Sequence, residues 1–145
     1  METELVLGRS YKADAEAYRT GRLKAESEPR QGGRVTVELA DEYPEGRDGR
    51  GRMASVGFDA RWQRLLLSLT GARFDIKGKG ISMYLREPGA MRIGASYSTS
   101  RSAWRTSAGM ALSVGRARLG LKAGCNWESP PVIDMAAQLD MVLGQ

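Results

Sequence analysis

The stretch "GASYSTSRSAWRTSAG", from Gly94 to Gly109, combines two arginines, seven hydroxyl-bearing serines and threonines, and one tryptophan, with no acidic residue. Guanidinium and hydroxyl groups hydrogen-bond phosphate oxygens, and an aromatic ring can stack on an unpaired base. The residue types therefore predict a contact with nucleic acid, in which Arg101 and Arg105 bind phosphates and Trp104 stacks on a base.

The charge distribution supports this interpretation more strongly than any single residue. The chain has a net charge of +5, but residues 60–127 alone carry twelve Lys or Arg against two Asp or Glu. Residues 1–59 carry ten basic against twelve acidic residues, and residues 128–145 carry three acids and no base. Positive charge concentrated in one segment is typical of proteins that bind a polyanion.

Residue types also exclude much catalytic chemistry. The chain has no histidine and a single cysteine, Cys125, so no His-based triad, Cys–His pair or ordinary zinc site can be built within it. A nuclease that holds Mg²⁺ through Asp75 or Glu87 is a weak alternative, because two isolated acids seldom bind this ion without further ligands. We therefore expect a non-enzymatic protein without cofactor or metal.

Length and hydropathy predict one domain spanning residues 1–145, with a real hydrophobic core. No apolar run approaches the roughly 18 residues of a membrane-spanning helix, and the first residues lack the positive charge of a signal peptide. Together with the lone cysteine, these features predict a cytoplasmic protein without a membrane partner.

Hydrophobic periodicity predicts an α+β fold, with antiparallel sheets in two strand-rich halves, each followed by one helix. The helices are expected at Ala60–Thr70, capped by Asp59, and at Pro130–Leu143, whose prolines fit a first helical turn. The order strands–helix–strands–helix also indicates two similar halves, residues 1–71 and 72–145. Helices are expected to cover the apolar side of the sheet, leaving its polar side in water.

Alternation in the second half predicts a basic sheet face. Pairing Leu85 with Ile93 in a hairpin places Arg86 opposite Arg92, where an anion between them would relieve their repulsion. Tyr84 is the best candidate for an exposed stacking ring, whereas Trp62, Tyr97 and Trp127 are better explained as core residues. The complete predicted nucleic-acid site consists of Arg50, Arg52, Lys77, Lys79, Tyr84, Arg86, Arg92, Arg101, Trp104, Arg105, Arg116 and Arg118.

The segment "GRVTVELADEYPEGRDGRGRMASVGFDARWQRLLLSL", about a quarter of the chain, resembles the transcriptional coactivator family called positive cofactor four. That family has a hydrophobic strand, a "PEG" loop, a basic "GR" segment, a short strand and a helix near a Trp. The matching elements are Val35–Leu39, Asp41–Tyr43, Pro44–Gly46, Arg50–Arg52, Met53–Phe58 and Arg61–Leu66.

The resemblance implies binding of single-stranded DNA by a dimer that uses four-stranded sheets and a following helix. It also implies that Arg50 and Arg52 contact the nucleic-acid backbone and that Trp62 packs on the sheet. The related Whirly proteins carry two such units per chain, although the second half here shows no motif of the family.

Charge and resemblance together predict non-enzymatic binding of single-stranded nucleic acid, DNA before RNA, with little sequence preference and with self-association into a homo-oligomer. The alternative is a phage or mobile-element accessory protein that inhibits or assists a host protein by covering an acidic surface. Small size and arginine-rich composition fit both, so a protein partner stays open.

Overall fold

A computed structural model describes residues 2–11, 17–27, 33–44, 48–78, 81–86, 96–128 and 130–141, and these residues form an all-β protein. Side chains of residues 2–11, 17–20, 44 and 86 lie outside this description. The strands are β1 (Glu2–Tyr11), β2 (Ala17–Ser27), β3 (Gly33–Pro44), β4 (Gly49–Trp62), β5 (Leu65–Gly78), β6 (Met83–Arg86), β7 (Ser96–Thr99), β8 (Ala103–Val114), β9 (Ala117–Trp127) and β10 (Val132–Met141).

Both predicted helices are wrong, and the α+β class with them. Ala60–Thr70 consists of the end of β4, a two-residue turn at Gln63 and Arg64, and the start of β5. Pro130–Leu143 overlaps β10, which pairs with β9 along its whole length. Within the described residues no helix is present, and none is therefore long and apolar enough to cross a membrane.

Eight strands form one antiparallel sheet in the order β1-β2-β3-β4-β5-β8-β9-β10, and β6 pairs with β7 in a separate small sheet. Because neighbours along the chain are neighbours in space, apart from the insertion of β6 and β7, successive connections alternate between the two ends of the sheet. The β4–β5 and β8–β9 connections share one end, here called the turn end. The connections β3–β4, β5–β8 and β9–β10 lie at the opposite end, here called the loop end.

Two tight turns close the turn end. Gln63 has a φ of 52° and Gly115 a φ of 58°, left-handed values that short hairpin turns require. The amide of Ser113 donates to the carbonyl of Arg64 over 2.9 Å, which ties the two turns together. Gln63 adopts this backbone without being Gly or Asn, so the sequence carries no ordinary turn signal there.

The register divides the side chains of the large sheet between two faces, since antiparallel partners point to the same side. One face, here called the inner face, includes Met53, Ser68 and Arg105, all buried. The opposite face, here called the outer face, includes Val56, Leu69 and alternate residues of the other strands. The small β6–β7 sheet packs on the inner face, where Ile81, Met83 and Leu85 form the apolar core with Met53, Ala72 and Phe74.

Close packing of this hairpin depends on Gly51. A Cβ atom at Gly51 would lie 2.9 Å from side-chain atoms of both Ile81 and Met83, so only a glycine lets the hairpin approach β4. Two polar contacts also hold the hairpin on the large sheet. Arg22 donates to the carbonyl of Tyr84 over 3.2 Å, and the Arg105 guanidinium lies 4.0 Å from the Tyr97 ring centroid.

Another detail of the sequence-based fold is also corrected. Leu85 pairs with Tyr97, not with Ile93, because β7 begins at Ser96. β5 spans residue 71, where the two halves are expected to meet, and the division into two similar halves stays a prediction.

Candidate functional site

The outer face is apolar in successive cross-strand rows. The row through Leu69 contains Val35, Phe58, Leu69, Ala108, Ala123 and Met135. The next row toward the loop end contains Val37, Val56, Gly71, Thr106, Cys125 and Ile133, and two rows toward the turn end are equally uncharged. The two turn-end rows include Ala60, Leu67, Met110, Leu121 and Ala137, then Trp62, Leu65, Leu112, Leu119 and Leu139.

These side chains are open to the surroundings. Val56 and Leu69 are each 56% exposed, and Met135 is 82% exposed. Apolar patches on proteins that live in water rarely exceed a few hundred Å², because exposing more favours association or aggregation. The apolar surface that covers seven neighbouring strands of the sheet is therefore the candidate binding surface of this molecule.

Charged residues of the outer face are confined to its loop-end edge, among the described side chains. Asp41, Arg52 and Asp75 form one cross-strand row there. Arg73 lies in the next row, beside Trp104. Below these two rows, toward the turn end, every described side chain of the outer face is uncharged.

The inner face of the same strands is buried, and outside the apolar core under the β6–β7 hairpin many of its side chains are polar. Glu38 is 6% exposed, Thr70 7% and Arg105 3%, and Ser55, Ser68, Ser107 and Asn126 are buried as well. Water-exposed antiparallel sheets show the reverse arrangement, with apolar residues inward and polar residues outward. The sheet is thus inverted with respect to an ordinary protein in water.

Arg105 is the centre of the best-defined polar cluster on the inner face. Its Nη1 donates to Asp134 Oδ2 over 2.7 Å and to Asn126 Oδ1 over 3.1 Å, and its Nη2 donates to Asp134 Oδ1 over 3.2 Å. Hydrogen bonding by Arg105 lowers the pKa of Asp134 against the opposing effect of burial. The cluster joins β8, β9 and β10 and contacts Tyr97 of the hairpin.

A second group of ion pairs follows β2 and β3 on the inner face. Arg22 Nε lies 2.6 Å from Glu38 Oε1, and Lys24 pairs with Glu26. Hydrogen bonding by Lys24 lowers the pKa of Glu26. Charges buried on this face are therefore largely compensated within the protein.

Asp59, expected to cap a helix, lies on β4 and is paired in register with Arg34. Its Oδ1 is buried without a hydrogen-bond partner among the described residues. Burial raises the pKa of Asp59 above its ordinary value, which outweighs the effect of the Arg34 charge.

Aromatic residues border the apolar surface at both ends. Trp62 lies at the turn end and is 75% exposed, whereas Trp104 and Trp127 lie side by side at the loop end. Trp127 Nε1 donates to Thr106 Oγ1 over 3.0 Å, and the Arg73 guanidinium lies 5.0 Å from the Trp104 ring centroid. The sequence-based assignment of Trp62 and Trp127 to the core is wrong, while Tyr97 is half-buried against Phe74 as expected.

Arg50 and Asp41 form an ion pair near the loop-end edge. Arg50 Nε donates to Asp41 Oδ1 over 2.9 Å, with a second contact from Nη2 to Oδ2. The Tyr43 hydroxyl donates to Asp41 Oδ2 over 3.0 Å, and its ring lies 4.7 Å from the Arg50 guanidinium. Desolvation and the bond to Asp41 raise the pKa of Tyr43, and the Asp41 carboxylate raises that of Arg50.

The residues expected to bind nucleic acid lie in several places. Arg105 is on the inner face, Trp104 on the outer face, and Arg116 in the β8–β9 turn. Arg101 precedes β8, so the length of that 12-residue strand, roughly 40 Å, separates it from Arg116. These four residues do not form one surface.

The other residues expected to bind nucleic acid also lie in separate places. Arg50, Arg52 and Lys77 approach the loop end of β4 and β5, Tyr84 is exposed on the hairpin, and Arg118 is half-buried on the inner face opposite Asp140. Lys79 and Arg92 lie outside the described residues, as does the side chain of Arg86. The described part of the chain contains no group of three or more acids or cysteines that could hold a metal.

The functional surface that sequence reasoning missed is the apolar outer face. Its signal is visible in β10, where Ile133, Met135 and Leu139 alternate with Asp134, Gln138 and Asp140. Alternation shows that such a strand has two unlike faces, but only the structure shows that the apolar one is exposed.

Comparison with known proteins gives no relative for this chain: no protein-family description, curated protein or solved structure matches it.

Proposed function

We propose that this protein acts within a lipid bilayer, with the outer face of its eight-stranded sheet in contact with hydrocarbon chains. The observation that carries the proposal is the inversion of the sheet. Uncharged rows of exposed apolar side chains cover one face, and ion pairs with one buried partner, Glu38 or Arg105, lie on the other. Hydrocarbon stabilises such an exposed apolar surface, whereas water does not.

The dimensions support the same environment. The strands of the large sheet are 10 to 14 residues long. A strand that crosses a bilayer needs about 9–11 residues when tilted by about 45°. Because hydrocarbon does not tolerate unpaired backbone groups, the proposal also requires hydrogen-bonding partners for the outer edges of β1 and β10, the edge strands of the sheet among the described residues.

The positions of the aromatic side chains fit a bilayer as well. Tyr and Trp are enriched where hydrocarbon meets the headgroups, because their rings are apolar and carry one polar group. Trp62 at one end, and Trp104 and Trp127 at the other, border the uncharged rows. The absence of a long apolar run, on which the sequence-based expectation of no membrane partner rests, concerns helices and does not bear on strands.

Refolding with and without lipid tests the proposal. Protein diluted from urea into phosphatidylcholine vesicles is expected to gain the circular dichroism of β-structure, to float with the vesicles and to resist alkaline extraction. In lipid-free buffer the same protein is expected to aggregate. Monodisperse, folded protein in lipid-free buffer that does not float with vesicles would contradict the proposal.

Binding of single-stranded nucleic acid stays a prediction of the charge distribution. Anisotropy of labelled oligo(dT), measured with the folded protein at low and high salt, addresses it separately. Micromolar binding that weakens steeply with salt would support it, because each phosphate contact releases counterions.

A further inference from the structure

A groove on the outer face lies where the charged edge meets the first apolar row. Its volume is about 490 Å³, and its floor includes Leu23, Leu39 and Ala54. Its rim is formed by charged residues of the loop-end edge, namely Arg50, Arg52, Arg73, Asp41 and Asp75. The groove is therefore apolar toward the middle of the sheet and charged toward its loop end.

Pairing within the rim leaves positive charge available. Arg50 holds Asp41 through two hydrogen bonds. Arg52 Nε forms a longer ion pair with the same carboxylate, 3.8 Å from Asp41 Oδ2, and the Arg52 side chain is 52% exposed. Arg73 contacts the Trp104 ring and, among the described residues, no carboxylate. Three guanidiniums against two carboxylates therefore leave the rim a net positive charge, with the guanidiniums of Arg52 and Arg73 beside the groove.

The register places these two guanidiniums near each other. Arg52 pairs with Asp75 and Ala54 with Arg73, so Arg52 and Arg73 are diagonal neighbours on β4 and β5. Diagonal pairs on an antiparallel sheet have Cβ atoms about 7–8 Å apart, which long arginine side chains can bridge through one anion. Guanidiniums bind phosphate through two parallel N–H···O bonds, so a phosphate fits this position well.

We propose that this groove binds one anionic phospholipid, with its phosphate between Arg52 and Arg73 and an acyl chain over Leu23, Leu39 and Ala54. The inference rests on the proposed membrane location, because that location puts the groove at the level of the lipid headgroups. Charge complementarity identifies the occupant: an acyl chain fits the apolar floor, and a phosphate fits the two arginines. A zwitterionic lipid would bring its own cation to this basic rim and is expected to bind more weakly.

The test uses Trp104 as a local reporter, because Arg73 lies against its ring. A Trp62→Phe/Trp127→Phe protein retains Trp104 as its single tryptophan. It is placed in phosphatidylcholine vesicles that contain a small fraction of brominated phosphatidylglycerol or, in a parallel series, brominated phosphatidylcholine. Phosphatidylglycerol is expected to quench Trp104 at several-fold lower mole fraction, since each arginine near an anionic lipid contributes roughly fivefold in affinity.

Variants locate the site. Arg52→Gln/Arg73→Gln is expected to abolish the preference for phosphatidylglycerol, whereas Arg116→Gln, which removes an exposed arginine at the turn end, is expected to keep it. Equal quenching by the two lipids in the parent protein, or an unchanged preference in the double variant, would contradict the binding of an anionic lipid in the groove. Neither result would bear against the membrane location. Absence of quenching by either lipid would instead contradict the membrane location itself.

Discussion

The substitution Leu69→Arg tests whether the outer face of the sheet contacts lipid or water. Leu69 lies on β5 midway between Leu65 at the turn end and Arg73 at the loop-end edge, and it is 56% exposed. An arginine on the lipid face at the bilayer midplane costs about 2–4 kcal/mol, which falls to about 0–1 kcal/mol near the interfaces. Leu69→Arg is therefore expected to lower the folded-to-unfolded ratio by roughly 30-fold to 1,000-fold.

A matched substitution provides the control. Val114 is 57% exposed, at the turn end of β8, so Val114→Arg adds the same charge to the same face near the interface. Urea unfolding in vesicles, followed by tryptophan fluorescence, measures both variants. If water covered this face, an arginine at an exposed position would change stability by only about 0.5 kcal/mol either way. Equal midpoints for Leu69→Arg and Val114→Arg would refute the lipid contact.

Three further substitutions probe the inner face. Arg105→Met leaves the Asp134 carboxylate without its cation and is expected to destabilise the protein by about 2 kcal/mol in urea titration. This difference should shrink as the pH falls through the lowered pKa of Asp134, and a constant difference would contradict the ion pair. Asp59→Asn is expected to raise the melting temperature at neutral pH, because burial raises the pKa of Asp59 and penalises its charge. That gain in melting temperature should vanish below the ordinary pKa of Asp, where this residue is also protonated in the unfolded chain. A gain that does not change with pH would contradict the raised pKa of Asp59. Gly51→Val would force Met83 away, costing about 1–3 kcal/mol, and should make the β6–β7 hairpin sensitive to limited proteolysis, whereas an unchanged digestion pattern would contradict its packing.

The strands of the second half are predictable from sequence because their two faces differ. In β8, Trp104, Met110 and Leu112 lie on one face of the strand, and Arg105 and Ser107 lie on the other. The helix at Ala60–Thr70 is wrong because the leucines from Leu65 to Leu67 satisfy helical and strand spacing equally. The turn that decides between them, at Gln63 and Arg64, lacks a turn-forming residue.

The candidate site was less predictable, for a different physical reason. Periodicity gives two faces for each strand, but it does not say which face meets solvent. If the polar face of the sheet is assumed to meet water, Arg105 and Arg118 are expected on an exposed basic surface. In the structure both lie on the inner face. Counting charges segment by segment along the sequence also misses ion pairs between distant residues. Asp134, in the acidic tail, binds Arg105 only because β10 pairs with β9.

Depth-dependent quenching of tryptophan fluorescence tests the lipid contact most directly. The three tryptophans, Trp62, Trp104 and Trp127, lie on the outer face and are 75%, 54% and 59% exposed. In vesicles they should be quenched most by lipids brominated close to the headgroups, while a tryptophan introduced by Leu69→Trp should be quenched most by lipids brominated deeper in the chain. Quenching by acrylamide in the water, with no response to brominated lipid at either depth, would contradict the account.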